Sequence, residues 1–328
     1  MRNALFATTA LVAAGYAGSA FAAEPLTLTT GGYLHAGVAY VDDGTDEDIG
    51  IMRDGEIHFG VTGSSDNGLT FRGDVELEAF TSGDQIDENW VSVGGAFGTV
   101  KIGGDDHASY NLATGSLFSA GAKIGYYDDF GVANNNVTYP TNNRFSDAIG
   151  IHYTTPTISG ITAGVSYHPG GGDGSSDSNN PVTGDTDAVS LGVNVAQDFG
   201  DFGFTISGGY DMIDDAAAGE DDDGFTAGAR IDYAGFTLGG LYIEGVGIAG
   251  DEHYVIGGAY STGPWSVGGG YSLISEANPN GDANKYGGWL GYALAPGVTT
   301  SFGVEVADEE QDGSDTEIAA MGWISLSF

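Results

Sequence analysis

One pattern constrains this chain more than any other: short segments in which apolar and polar residues alternate strictly. The clearest runs Leu69-Thr70-Phe71-Arg72-Gly73-Asp74-Val75-Glu76-Leu77-Glu78-Ala79, and the pattern recurs in Ile57 to Val61, Val189 to Val195 and Phe225 to Tyr233. Strand side chains point alternately to opposite faces, so each segment is a strand with one apolar and one polar side. Tight turn signals lie between such segments: Ser65-Asp66-Asn67-Gly68, Ala234-Gly235, Thr262-Gly263-Pro264 and Ala295-Pro296-Gly297. Strands joined this way form antiparallel hairpins, and hairpins repeated along nearly the whole chain predict an all-β fold.

Composition bears on what the strands can be. The 58 glycines disfavour helices, while 17 Tyr and 16 Phe favour strands. Glycine follows no three-residue period and Pro numbers 8, which excludes collagen. At 41% hydrophobic residues the chain is too apolar for a disordered acidic tail. Only 8 Lys and Arg stand against 46 Asp and Glu, a net charge of −38. So few cations assemble no basic patch, which excludes nucleic acid as a partner.

The N-terminus has the order of a secretory signal: Arg2, then the apolar stretch Ala4 to Ala14, then Ala20-Phe21-Ala22 before Ala23. Residues 1–22 are therefore expected to be a signal peptide and residues 23–328 one domain. With no cysteine, an exported chain is held together without disulfides. No later stretch approaches the roughly 18 apolar residues of a membrane helix. A soluble, surface-attached or β-barrel protein remains.

The connections decide among these. Against the tight turns stand Pro169 to Asp185, Asp214 to Asp223, Glu276 to Asn284 and Asp308 to Asp315, all acidic and rich in Gly, Asn or Asp. A short-turn end opposite a long-loop end is the asymmetry of a transmembrane antiparallel β-barrel of the outer membrane. Strand candidates number about 16, an even count, with roughly 19 residues per strand and connection. A soluble sandwich also alternates, but here aromatics sit beside the turns: Tyr33, Tyr40, Trp90, Tyr153, Tyr167, Tyr233, Tyr242, Trp265, Tyr271, Tyr286 and Tyr292. Such positions predict interface girdles. Between Gly103 and Phe145 no clean strand occurs, yet Leu112, Leu117, Phe118, Ile124, Tyr126, Tyr127 and Phe130 need a surface to pack on. A long third loop folded into the lumen is expected.

The last segment, Ile318 to Phe328, carries apolar or small residues at every second place back from a terminal aromatic. This ending resembles the C-terminal signature of bacterial outer-membrane proteins. Gly63-Ser64-Ser65-Asp66-Asn67-Gly68-Leu69, followed by Val91 to Gly103, resembles the early strands of Gram-negative general diffusion porins, especially the alphaproteobacterial group. Asp128-Asp129-Phe130-Gly131 resembles a degenerate acidic-Phe-Gly constriction motif of enterobacterial porins, without its proline and second glycine. The resemblance implies a homotrimer of 16-stranded barrels in outer-membrane lipid. Each barrel would be a water-filled channel for small hydrophilic solutes, narrowed by the third loop, with Phe328 read by the barrel-assembly machinery.

Arg72, Asp74, Glu76 and Glu78 occupy the polar parity of one strand, and Lys101 and Arg230 that of others. The resemblance implies that wall bases face Asp105, Asp106, Asp128 and Asp129 across the constriction, setting up a transverse field. The plainer reading pairs Arg72 with a neighbouring Glu. Arg53 and Arg144 are read as lying at strand edges. The excess of acids predicts a preference for cations.

Other motifs carry less. Gly245 to Gly250 matches G-x-G-x-x-G, but the next segment, His253 to Tyr260, reads as a strand where a dinucleotide site needs a helix. The six histidines show no zinc spacing. Asp221 and Asp223, or Asp173 with Asp177, are candidate Ca²⁺ ligands without EF-hand spacing, and solvated acidic loops are the better reading of them. No cofactor is otherwise expected, and no G-x-S-x-G elbow occurs. The reading is a non-enzymatic, passive channel. Its rivals are a secreted or surface Ca²⁺-binding β-protein, which would show tandem G-G-x-G-x-D repeats, and a barrel enzyme or substrate-specific barrel channel.

Overall fold

The computed structural model describes residues 25–80, 85–116, 147–170, 186–215, 220–245, 252–278, 281–309 and 316–328. The expected signal segment lies outside them. Sixteen strands follow in order: β1 (Thr27–Asp42), β2 (Glu47–Ser64), β3 (Thr70–Glu78), β4 (Ile86–Gly95), β5 (Gly98–Gly104), β6 (Ile149–Thr154), β7 (Ile161–Pro169) and β8 (Thr186–Phe199). The second half comprises β9 (Phe202–Asp215), β10 (Glu220–Tyr233), β11 (Phe236–Glu244), β12 (Glu252–Thr262), β13 (Trp265–Asn278), β14 (Gly281–Ala295), β15 (Val298–Glu309) and β16 (Glu317–Ser327). One short helix, α1 (Ala108–Leu112), begins the third long connection.

Each strand pairs antiparallel with its sequence neighbours, and β1 pairs with β16 to close the barrel. Closure removes sheet edges and leaves every ladder group a partner, the condition for placing strands in lipid. At the seam Gly32 N–H donates to Phe328 O and Phe328 N–H to Gly32 O, both at 3.1 Å. The tight turns follow hairpin rules: Ala234 (φ 48°) and Gly235 (φ 87°) both take positive φ, as a two-residue type I′ turn requires.

The two parities separate as the alternation predicts. Ile51 (77% exposed), Val91 (64%) and Leu238 (54%) belong to an outward set of large apolar side chains that water would not tolerate and lipid matches. Aromatics cluster at the turn end of this surface, with Phe236 stacked on Tyr260 at 4.2 Å and Trp265 edge-on to Tyr292 at 4.6 Å. Two expected girdle members face inward instead: Tyr33 lies tilted against His35 with ring centroids 4.8 Å apart, and Trp90 lies under Lys101. Their strand parity, not their distance from a turn, sets their side.

Two further expectations are corrected. Arg53 is not at a strand edge; it lies within β2 on the outward parity, its guanidinium 5.3 Å from the Phe80 ring centroid. Two of the acidic connections are shorter than composition suggests, because β9 and β10 run to Asp215 and from Glu220, and β13 and β14 to Asn278 and from Gly281. Acidic residues continue the ladder there, since antiparallel pairing needs only backbone partners. The inner face is not uniformly polar either. Ala39, Met52, Trp289, Ala319, Met321 and Trp323 form a buried apolar cluster on β1, β2, β14 and β16.

Candidate functional site

A polar row crosses the inner wall at one ladder level. Thr62, Arg72, Ser92, Lys101, His152, Ser166, Ser190 and Asp211 are successive cross-strand partners from β2 to β9. Arg72 and Lys101 are thus separated by Ser92 on the same stretch of wall. Lys101 forms an ion pair with Asp105, and its ammonium lies 4.3 Å from the Trp90 ring centroid. Desolvation by the ring strengthens such a contact. Asp105 itself is buried, with His152 Nδ1 3.9 Å away. Lys101 and Asp105 are therefore in contact with each other on one stretch of wall.

Beyond Lys101 the wall turns acidic. Asp74, Glu76 and Glu78 share the inward parity of β3 with Arg72, while Asp54 and Glu56 do so on β2 and Glu88 on β4. Glu88, Asp106 and Asp147 bring carboxylate oxygens within 4.8 Å of one another where the third loop leaves β5 and returns to β6. Burial, reinforced by Asp147, Glu88, Asp105 and Asp87, pushes the Asp106 carboxyl up to about 9. Asp54, Glu56, His58, Glu88 and Asp147 were not singled out from sequence. Their placement, on the inward parity of β2 and β4 or, for Asp147, against Glu88 and Asp106, emerges only from the folded chain.

The start of the third loop is seated on the far part of the row. Ala108 N–H donates to Ser166 Oγ (3.1 Å) and Ser109 N–H to Ser190 Oγ (2.8 Å), so wall hydroxyls satisfy first-turn amides of α1 that a helix leaves unpaired. Ser109 Oγ donates to Asp211, 2.8 and 2.7 Å from its two oxygens, and Asn194 Nδ2 donates to Leu112 O at 3.0 Å. Glycine makes the approach possible. A β-carbon at Gly192 would lie 2.3 Å from Ala108 O, and one at Gly228 1.8 Å from Thr114 O. The expected inward folding holds for residues 105–116; the remainder of that loop, with Asp128, Asp129 and Arg144, lies outside the described residues.

His107, Ser109 and Asp211 include the residue types of a nucleophilic triad, but their order differs. The hydroxyl sits between imidazole and carboxylate, 3.0 Å from His107 Nδ1, and all three side chains are buried. A serine that donates to a carboxylate is held, not activated. Arg230 pairs along its own strand: its Nη2 donates to Asp232 Oδ1 at 2.8 Å, beside the Ala234-Gly235 turn. Of the Ca²⁺ candidates, Asp223 accepts a hydrogen bond from Tyr210 at 2.8 Å, while the side chain of Asp221 and residues 173 and 177 lie outside the described set. The G-x-G-x-x-G segment leads into β12, a strand.

Comparison with known proteins returns one family. A Gram-negative porin model matches residues 7–314. No curated protein matches. The fold is similar to the anion-selective porin from Comamonas acidovorans, with 19% identity over 93% of this chain and 100% of that one and a TM-score of 0.68. It is similar also to a mutant of the Rh. blastica porin (19% identity, 92% and 100% covered, TM-score 0.61). A loop-deletion mutant of OmpT, an outer-membrane protein of Vibrio cholerae, matches at 14% identity with 93% and 100% covered and a TM-score of 0.63.

Proposed function

The chain belongs to the Gram-negative porin family, and from that premise we propose a cation-preferring outer-membrane channel through which ions and small hydrophilic solutes diffuse passively. The sign of the preference rests on one observation. Asp54, Glu56, Asp74, Glu76 and Glu88 crowd the wall of β2 to β4, whereas Lys101 is already engaged by Asp105. An anion-selective porin shares this barrel, so lining charge, not fold, sets the sign. Cleavage after residue 22, a homotrimeric assembly in lipid and recognition of Phe328 by the assembly machinery belong to the same reading.

A carboxylate passed at about 4 Å in water attracts a cation by about 1 kcal/mol, about fivefold in local enrichment. The Debye length of about 8 Å at physiological salt spans a narrow passage, and about 3 Å at 1 M does not. Reversal potentials of the reconstituted channel under a KCl gradient test this. Cation selectivity is expected, weaker at about 1 M salt, weaker when Glu76→Gln and Glu78→Gln are combined, and stronger in Arg72→Gln. An anion-selective wild type would overturn the reading, and unaltered variants would remove these side chains from the ion path.

A further inference from the structure

Within the acidic wall, three side chains on β2 and β3 converge. His58 faces Glu76 across the ladder, and Glu56 faces Glu78. The His58 ring spans two carboxylates, with Nδ1 3.1 Å from Glu76 Oε1 and Nε2 3.3 Å from Glu56 Oε2. One donor atom from each of Glu56, His58 and Glu76 lies within 4.8 Å of the other two. The cluster at Glu88, Asp106 and Asp147 meets the same distance with carboxylates alone. The imidazole makes the β2–β3 group chemically different.

A second observation points to a ligand. Glu56 is 7% exposed, and its Oε1 is buried without a hydrogen-bond partner. A carboxylate oxygen withdrawn from water and left unmatched costs free energy that a cation at the group would offset. Asp74 Oδ1, two residues from Glu76 on the same face of β3, is likewise buried and unmatched. Approach is open, because the His58 side chain remains 32% exposed.

We propose that Glu56, His58 and Glu76 form a binding site for a divalent transition-metal ion, with zinc as the representative, in the wall of the barrel. Imidazole with carboxylates suits zinc, nickel or copper, whereas magnesium and calcium favour all-oxygen sets. Three protein ligands leave a position for water, the arrangement of an open zinc site. An ion held there adds positive charge to the most acidic part of the wall and opposes the cation preference.

Equilibrium dialysis of the detergent-solubilised full chain against ZnCl₂ tests the site without reference to conductance, so its outcome is independent of the selectivity reading. One zinc per chain is expected, retained in excess MgCl₂. His58→Gln and Glu76→Gln should each weaken binding at least about tenfold, while Asp198→Asn, at the β8–β9 turn, binds as the wild type does. Far-ultraviolet circular dichroism establishes that each variant is a folded barrel, and either ligand variant suffices if the other fails to fold. Absence of bound zinc, displacement by magnesium, or a folded His58→Gln protein that binds zinc normally would overturn the proposal.

Discussion

At the scale of single residues, Asp106 shows how position sets charge. It follows Asp105 directly, yet Asp105 has Lys101 as its partner while Asp106 is pressed towards Asp147 and Glu88. Burial first and these like charges second raise its carboxyl to about 9, so it is neutral at pH 7 and gains its charge as pH rises through that value. Cation preference should therefore increase between pH 7 and pH 10, read as the reversal potential under a fixed KCl gradient. Asp106→Asn should leave selectivity at pH 7 nearly unchanged and flatten the alkaline rise. A loss of cation preference at pH 7 in Asp106→Asn would mean that the carboxyl is already ionised there. Sequence shows two adjacent aspartates and no means of telling them apart, because the distinction comes from a lysine four residues back on β5 and an aspartate that the chain reaches only after the third loop.

At the scale of elements, α1 exists because of the wall beneath it. Five residues without a side-chain cap are too few for a helix to persist alone, and serines from β7 and β8 supply the acceptors that its first amides lack. Ser109→Ala leaves the buried Asp211 carboxylate short of its donor, a loss of about 2 kcal/mol. Loop opening should then be about 30-fold more frequent, measured as faster hydrogen exchange at the Ala108 amide. An unchanged rate would show that the glycine seat alone holds the loop. The strands β3, β8 and β10 were legible in sequence because a period of two survives any tertiary context that keeps one face in lipid. The seat was not, since Gly192 and Gly228 look like the many other glycines until the register places them on the inward parity beneath the loop. The inward positions of Tyr33 and Trp90 were missed for the same reason: nearness to a turn is visible in sequence, but the face depends on pairing.

At the scale of the whole molecule, β1–β16 is the one ladder that joins the ends of the barrel, running from Tyr33↔Ser327 to Asp42↔Ile318. Every other ladder links sequence neighbours, so closure is the long-range step of folding. Phe328 adds a reciprocal pair of backbone hydrogen bonds with Gly32 and an aromatic ring 62% exposed on the rim. Two such bonds contribute about 1 kcal/mol each, small beside the ladder that precedes them. Loss of Phe328 should consequently leave refolding of purified chain into detergent almost intact, as followed by circular dichroism and resistance to mild denaturant. In cells the same deletion should sharply lower the folded protein in the outer membrane and increase periplasmic aggregates, because the role proposed for the residue is recognition by the assembly machinery rather than strength at the seam. Equal membrane levels of truncated and intact chains would refute that role, and a parallel failure to refold in detergent would assign Phe328 to barrel closure instead.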